Sequence, residues 1–131
     1  MDARHILIDT SVLIDQLRRR DKRNGLLFKR LDNSLFYAST IVEFELFAGA
    51  KDAAKKRDAQ NVMQLVTVLP FSSPIAQKAA DIYLRLKQKN AVIEMRDIFI
   101  AATAIAHDLP LLTLNVKHFE RMSDLRLESL E

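Results

Sequence analysis

No cysteine occurs among the 131 residues. That excludes disulfide staples, thiol nucleophiles and thiolate metal sites, and it fits a reducing compartment such as the cytoplasm. Glycine occurs twice and proline three times, so most of the chain is expected in regular helices and strands. No stretch approaches the ~20 consecutive apolar residues of a membrane-spanning helix. Asp2, His5 and Asp9 interrupt the N-terminus too early for a signal peptide. No internal repeat, low-complexity tract or linker divides the chain. Its length suits a single domain, residues 1–131, with a core of its own.

What is present is an ordinary soluble composition with a basic bias. The formal net charge is +3. The bias is local: Arg18, Arg19, Arg20, Lys22, Arg23, Lys29 and Arg30 crowd a span whose one acid is Asp21. A second cluster is Lys51, Lys55, Lys56 and Arg57. Such stretches either meet phosphate backbones by sequence-independent attraction or form solvated helix faces.

Periodicity predicts alternating strands and helices. Residues 5–9 form a short apolar run that ends in a polar residue, as a buried strand does. A helix follows over 12–19, with Val12, Leu13 and Leu17 toward the core. A second helix carries Leu26, Leu27 and Leu31, and 35–38 is a short strand. Thr40-Ile41-Val42-Glu43 fits a capping box, with Thr40 as N-cap and Glu43 reaching back. That helix ends near Gly49. A helix with a basic outer face covers 51–65, and 66–70 is a strand. Ser73-Pro74 starts a helix that runs to about Asn90. Residues 97–107 form the most apolar helix, 111–114 a strand, 115–122 a turn and short helix, and 125–130 an edge strand. The alternation predicts an α/β fold: a mostly parallel sheet of four to five strands flanked by helices. Ligands bind beyond the carboxyl ends of such strands, where Asp9 and Asn115 fall.

Three acids stand at element ends against apolar stretches: Asp9, Glu45 and Asp97. Each has a purely structural alternative. Asp9 is the first of three consecutive capping residues, Asp9-Thr10-Ser11. Asp97 lies in a first helical turn, where the helix dipole favours a carboxylate. Glu43 has the capping box, which leaves Glu45, on a face with Ile41, Ala48 and Gly49, as the better ligand candidate and Glu43 as its alternative. Carboxylates brought together repel unless a cation lies between them. Oxygen-only donors select hard cations, Mg²⁺ or Mn²⁺, of the kind that assist phosphodiester cleavage without a protein nucleophile. Thr10 and Ser11 are candidate donors that orient Asp9. Arg96 is expected in solvent and Glu94 at the surface. His5, His107 and His118 lack a metal-ligand spacing, although His118 falls close to Asn115. Tyr37 and Tyr83 are read as packing residues, and Phe119 as the anchor of the last short helix. Rival motifs are missing: neither Gly-x-x-x-x-Gly-Lys nor Gly-x-Gly-x-x-Gly occurs. An aspartyl phosphatase of the haloacid dehalogenase type needs a second aspartate where Ser11 stands.

The segment Ile6-Leu7-Ile8-Asp9-Thr10-Ser11-Val12-Leu13-Ile14-Asp15 resembles the opening strand and helix of PIN-domain ribonucleases. Glu45-Leu46-Phe47-Ala48-Gly49 resembles their Glu-Leu-x-x-Gly motif. Asp97-Ile98-Phe99-Ile100-Ala101-Ala102-Thr103-Ala104 and Leu112-Thr113-Leu114-Asn115-Val116-Lys117-His118-Phe119 are similar to their last two motifs, and all four stand in family order. Size and layout resemble the VapC toxins of toxin–antitoxin pairs. The resemblance implies a PIN fold and a Mg²⁺- or Mn²⁺-dependent endoribonuclease that acts on RNA. It further implies a homodimer inhibited by a small VapB-like antitoxin. By position, Asp9, Glu45 and Asp97 would be the metal-binding, catalytic carboxylates, with Ser11, Thr113 and Asn115 in the site wall. Many members carry a fourth acid at or just after the position of Asn115; here Asn115 and His118 fill that region. That departure keeps open a non-catalytic nucleic-acid- or protein-binding module on the same fold. A nuclease directed at DNA or at structured substrates is the other alternative.

Overall fold

Ile6, Leu7 and Ile8 are almost wholly buried in β1 (Arg4–Ile8). A continuous apolar run of this kind is what the centre of a parallel sheet requires. The computed structural model describes residues 2–91 and 94–131. Its sheet has β1 inside, β2 (Ser34–Ser39) and then β3 (Val66–Leu69) on one side, and β4 (Leu111–Leu112) on the other. Every pairing is parallel, with Ile6 against Phe36, Phe36 against Val66 and Ile8 against Leu112. The carboxyl ends of the strands therefore gather on one edge.

Helices connect the strands: α1 (Thr10–Arg18), α2 (Leu26–Lys29), α3 (Thr40–Ala48), α4 (Ala53–Met63), α5 (Ser73–Gln88), α6 (Met95–Ala106) and α7 (Val116–Phe119). Of these, α6 is the helix set deepest in the core. Its Ile98, Ile100, Ala101, Ala102 and Ala104 are buried, and its alanines allow close approach to α5. Asn90 and Asp108 follow α5 and α6 with left-handed backbone, φ 55° and 53°. They take the place where a helix end usually recruits glycine, which helps explain how a chain with two glycines closes its long helices.

Several local expectations change: the strand expected over 111–114 ends at Leu112, and the helix expected over 97–107 opens earlier, at Met95. The N-cap of α3 is Ser39, whose hydroxyl accepts from Val42 N at 3.2 Å. Thr40 is the first helical residue, and its hydroxyl instead accepts from Phe71 N at 3.2 Å. The cap of α5 likewise lies one residue early, at Ser72. The expected edge strand over 125–130 reduces to one bridge, Leu127 beside Leu111. Beyond it the tail leaves the sheet and gives the carbonyls of Ser129 and Glu131 to Arg30. Among the described residues no helix is long and apolar enough to cross a membrane.

Candidate active site

Three elements each bring an acid to the carboxyl edge of the sheet. Asp9 leaves the end of β1 and is 0% exposed. Glu45 stands on α3, and Asp97 lies buried in the first turn of α6. A single guanidinium, that of Arg96, lies between them. Its Nη2 donates to Asp9 Oδ1 at 2.8 Å and to Glu45 Oε1 at 2.7 Å. Its Nε donates to Glu45 Oε2 at 2.5 Å, and its Nη1 to Asp97 Oδ1. The arginine expected in solvent is thus the hub of the site, with its side chain 23% exposed. Its partners come from residues 9 and 45, far off in sequence, so periodicity around position 96 carries no sign of them. The usable signal is indirect: three acids in apolar surroundings demand a cation, and Arg96 adjoins one of them.

The carboxylates are held from behind. Asp9 Oδ1 accepts from Thr10 N at 2.8 Å, so Asp9 also caps α1. Asp9 Oδ2 accepts from Thr113 Oγ1 at 2.8 Å and Ser11 Oγ at 3.1 Å. The two hydroxyls brace the loop after β4: Asn115 N donates to Thr113 Oγ1 and Leu114 N to Ser11 Oγ. Thr10 turns its hydroxyl to Glu45 Oε1, at 2.7 Å, rather than to Asp9. Glu45, not Glu43, is the α3 glutamate that meets Arg96. His118 Nδ1 stands 3.3 Å from Asp97 Oδ2, a contact that brings α7 to the site. His5 lies elsewhere and pairs with the Tyr37 hydroxyl at 2.6 Å.

The electrostatics follow from this crowding. Burial pushes the Asp97 carboxyl above its usual value, and the charges of Arg96 and His118 only partly offset it. Burial also works against the charge on Arg96. Hydrogen bonds and charge from Glu45 and Asp9 outweigh that, so the guanidinium holds its proton more tightly than usual. Among the described residues no group of three or more acids and histidines is spaced to hold a metal ion as it stands. The oxygens converge on a cation, but one of guanidinium width. The donor chemistry, carboxylate oxygens with hydroxyl support, is the kind hard cations such as Mg²⁺ or Mn²⁺ take.

The site opens on a cleft of about 700 Å³ lined by Glu45, Arg96, Asn115, Arg18 and Arg19 among others. A neighbouring groove, about 390 Å³, runs between α1, α3 and α4 and shares Glu45 and Arg18 with Lys55. One member from each basic cluster, Arg18 and Lys55, thus lines this groove beside Glu45 and Asp58, brought there by the packing of α1 near α4. Other basic residues have local partners: Lys22 Nζ donates to the Leu17 carbonyl, and Arg23 pairs with Asp21.

A family model described as PIN domain matches residues 6–125. This chain belongs to the PIN-domain family. It is 32% identical over 123 residues to Ribonuclease VapC1 of Methanocaldococcus jannaschii, covering 94% of this chain and 85% of that protein. It is 34% identical over 122 residues to Ribonuclease VapC10 of Mycobacterium tuberculosis, covering 92% and 90%. Among solved structures, VapBC2 from Rickettsia felis, bound to a DNA fragment from its promoter, superposes with a TM-score of 0.78. Identity there is 26%, over 95% of this chain and 97% of that one. The PIN fold expected from the four motifs is the fold observed.

Proposed function

We propose that the protein is a metal-dependent endoribonuclease, a single PIN domain over residues 1–131, acting as the toxin of a VapBC-type pair. One observation carries the chemistry: Asp9, Glu45 and Asp97 reach one cation from three elements at the carboxyl edge of a parallel sheet. Relatives named Ribonuclease VapC and a solved VapBC neighbour support the activity and the antitoxin partner.

In this reading the three acids hold Mg²⁺ or Mn²⁺, which when bound supplies Lewis acidity toward water and the scissile phosphate. Thr113, Ser11 and the Thr10 amide keep Asp9 aimed, and the Thr10 hydroxyl keeps Glu45 aimed. Asn115, in the cleft wall, offers an amide and a carbonyl oxygen but no charge where many members carry a fourth acid, so a second metal would bind weakly or only with substrate phosphate present. Arg18 and Lys55 hold the flanking backbone. The protein works in the cytoplasm as a homodimer, held inactive by a small VapB-like antitoxin.

The test is cleavage of a structured RNA pool by antitoxin-free protein in Mg²⁺, Mn²⁺ or EDTA, beside Asp97→Asn. Metal-dependent cutting that disappears in the variant is expected. Full activity in Asp97→Asn would remove that residue from the mechanism. The guanidinium in the acid cluster favours one other reading, a non-catalytic binding module. RNA binding that persists without cleavage in excess Mn²⁺ would establish it. Cutting of matched DNA in preference to RNA would reassign the substrate.

A further inference from the structure

Arg96 engages every acid of the cluster at once. Its donors take Asp9 Oδ1, both Glu45 oxygens and Asp97 Oδ1. The other oxygens are also occupied, Asp9 Oδ2 by Thr113 and Ser11, and Asp97 Oδ2 by His118. Every oxygen of the three acids thus already faces a protein donor, and among the described residues no three acids or histidines are spaced for a small ion as they stand. We propose that Arg96 is a tethered competitor for the catalytic cation: it holds the acid cluster in the metal-free protein, and a divalent ion binds only by displacing it into the cleft. This rests on the reading that Asp9, Glu45 and Asp97 are the metal ligands.

Charge and position favour such an exchange. One guanidinium facing three carboxylates leaves net negative charge, which a divalent ion offsets more fully. Arginine keeps its charge in the working pH range, so the exchange runs cation for cation. The residue is second in α6, and its side chain already lines the cleft. Swinging outward needs side-chain rotation and leaves the helix intact. There it faces the same space as Arg18 and Arg19. The consequence is a metal affinity lowered by the fraction of molecules in which the guanidinium is engaged. An arginine in place nine-tenths of the time weakens apparent binding about ten-fold.

Free Mn²⁺ counted by electron paramagnetic resonance tests the exchange on wild type, Arg96→Gln, Arg96→Lys and Asp97→Asn. Arg96→Gln is expected to bind Mn²⁺ at least ~10-fold more tightly than wild type, with Arg96→Lys between them and Asp97→Asn weaker. The metal-free Arg96→Gln protein should melt lower, because three acids lose their cation, and regain more stability than wild type when Mn²⁺ is added. Equal or weaker Mn²⁺ binding by Arg96→Gln, with wild type binding normally, overturns the competition and leaves the ligand assignment standing. Mn²⁺ binding by neither overturns both. If Arg96→Gln does not fold without metal, the wild type decides through the Arg96 Nε–H signal in a Mg²⁺ titration. That proton should start slow to exchange and lose its protection as Mg²⁺ saturates. A signal unchanged at saturation overturns the proposal.

Discussion

Thr113 shows how much a single hydroxyl carries in this site. It donates to Asp9 Oδ2 and accepts from Asn115 N while buried, so it links the end of β1 to the loop after β4. Valine has the same shape and neither capacity. Thr113→Val should keep the fold, cost roughly 1–3 kcal/mol through the polar groups left unpaired, and lower cleavage ~10–100-fold, the usual range for outer-shell partners of a metal ligand. Urea denaturation and single-turnover cleavage read the two effects separately. A drop in stability with unchanged cleavage would mean that Asp9 is aimed well enough by Ser11 and the Thr10 amide. Ser11 and Thr113 are legible as site residues from the motifs. That the Thr10 hydroxyl serves Glu45 instead of Asp9 is not, because only the packing of α1 against α3 makes that hydrogen bond.

At the level of elements, the start of α3 sets the aim of Glu45. Ser39, not Thr40, caps that helix, so Ser39→Ala should lower stability by about 1 kcal/mol. Glu43→Gln should stay within ~0.5 kcal/mol, as a surface change does. Thermal melts of the two variants distinguish the caps, and the reverse order would restore the expected capping box. The sequence reads Thr40 as the cap because it stands three residues before Glu43, as a capping box requires. The choice falls to Ser39 because the Thr40 hydroxyl is engaged by Phe71 N, on the loop before α5. The basic segment after α1 depends on a close approach rather than a special backbone angle. A Cβ at Gly25 would lie 1.9 Å from Gln16 Oε1. Gln16 is buried there, donates to the Lys22 carbonyl at 2.8 Å and accepts from Phe28 N. Gly25→Ala should dislodge it and cost ~1–3 kcal/mol. Hydrogen exchange should then rise over 22–29, and an unchanged pattern would show that Gln16 moves aside at no cost.

Across the whole molecule, the two basic clusters act as one surface only in the folded chain. Arg18 and Lys55 line the same groove beside Glu45 and Asp58, and under the proposed function they would hold one stretch of RNA backbone. Arg18→Ala and Lys55→Ala should each weaken RNA binding. Each should also flatten the plot of log K against log salt by about 0.7 for every single-strand phosphate no longer neutralised. Filter binding across a salt series checks this, and an unchanged slope would place the backbone elsewhere. Neither change should alter stability by more than ~0.5 kcal/mol, since both side chains lie at the rim.

By itself the sequence determined the α/β class, the strand and helix order and the family, because these follow from short-range periodicity and from motifs in a set order. Ile6-Leu7-Ile8 reads as a central strand, and the alanines of α6 as a close-packed helix, without knowledge of the neighbours. The same local reading overextends the tail over 125–130, where alternation is present but β4 offers a partner for one residue only. Only the tertiary structure decided what stands among Asp9, Glu45 and Asp97. Those acids lie on β1, α3 and α6 and meet through strand order and helix packing, and so does the cation between them. Arg96 reads as solvated because charge beside an exposed helix start is solvated by default. Folding reverses that: two buried carboxylates, Asp9 and Asp97, and a half-buried one, Glu45, held within reach bind the guanidinium in place of water.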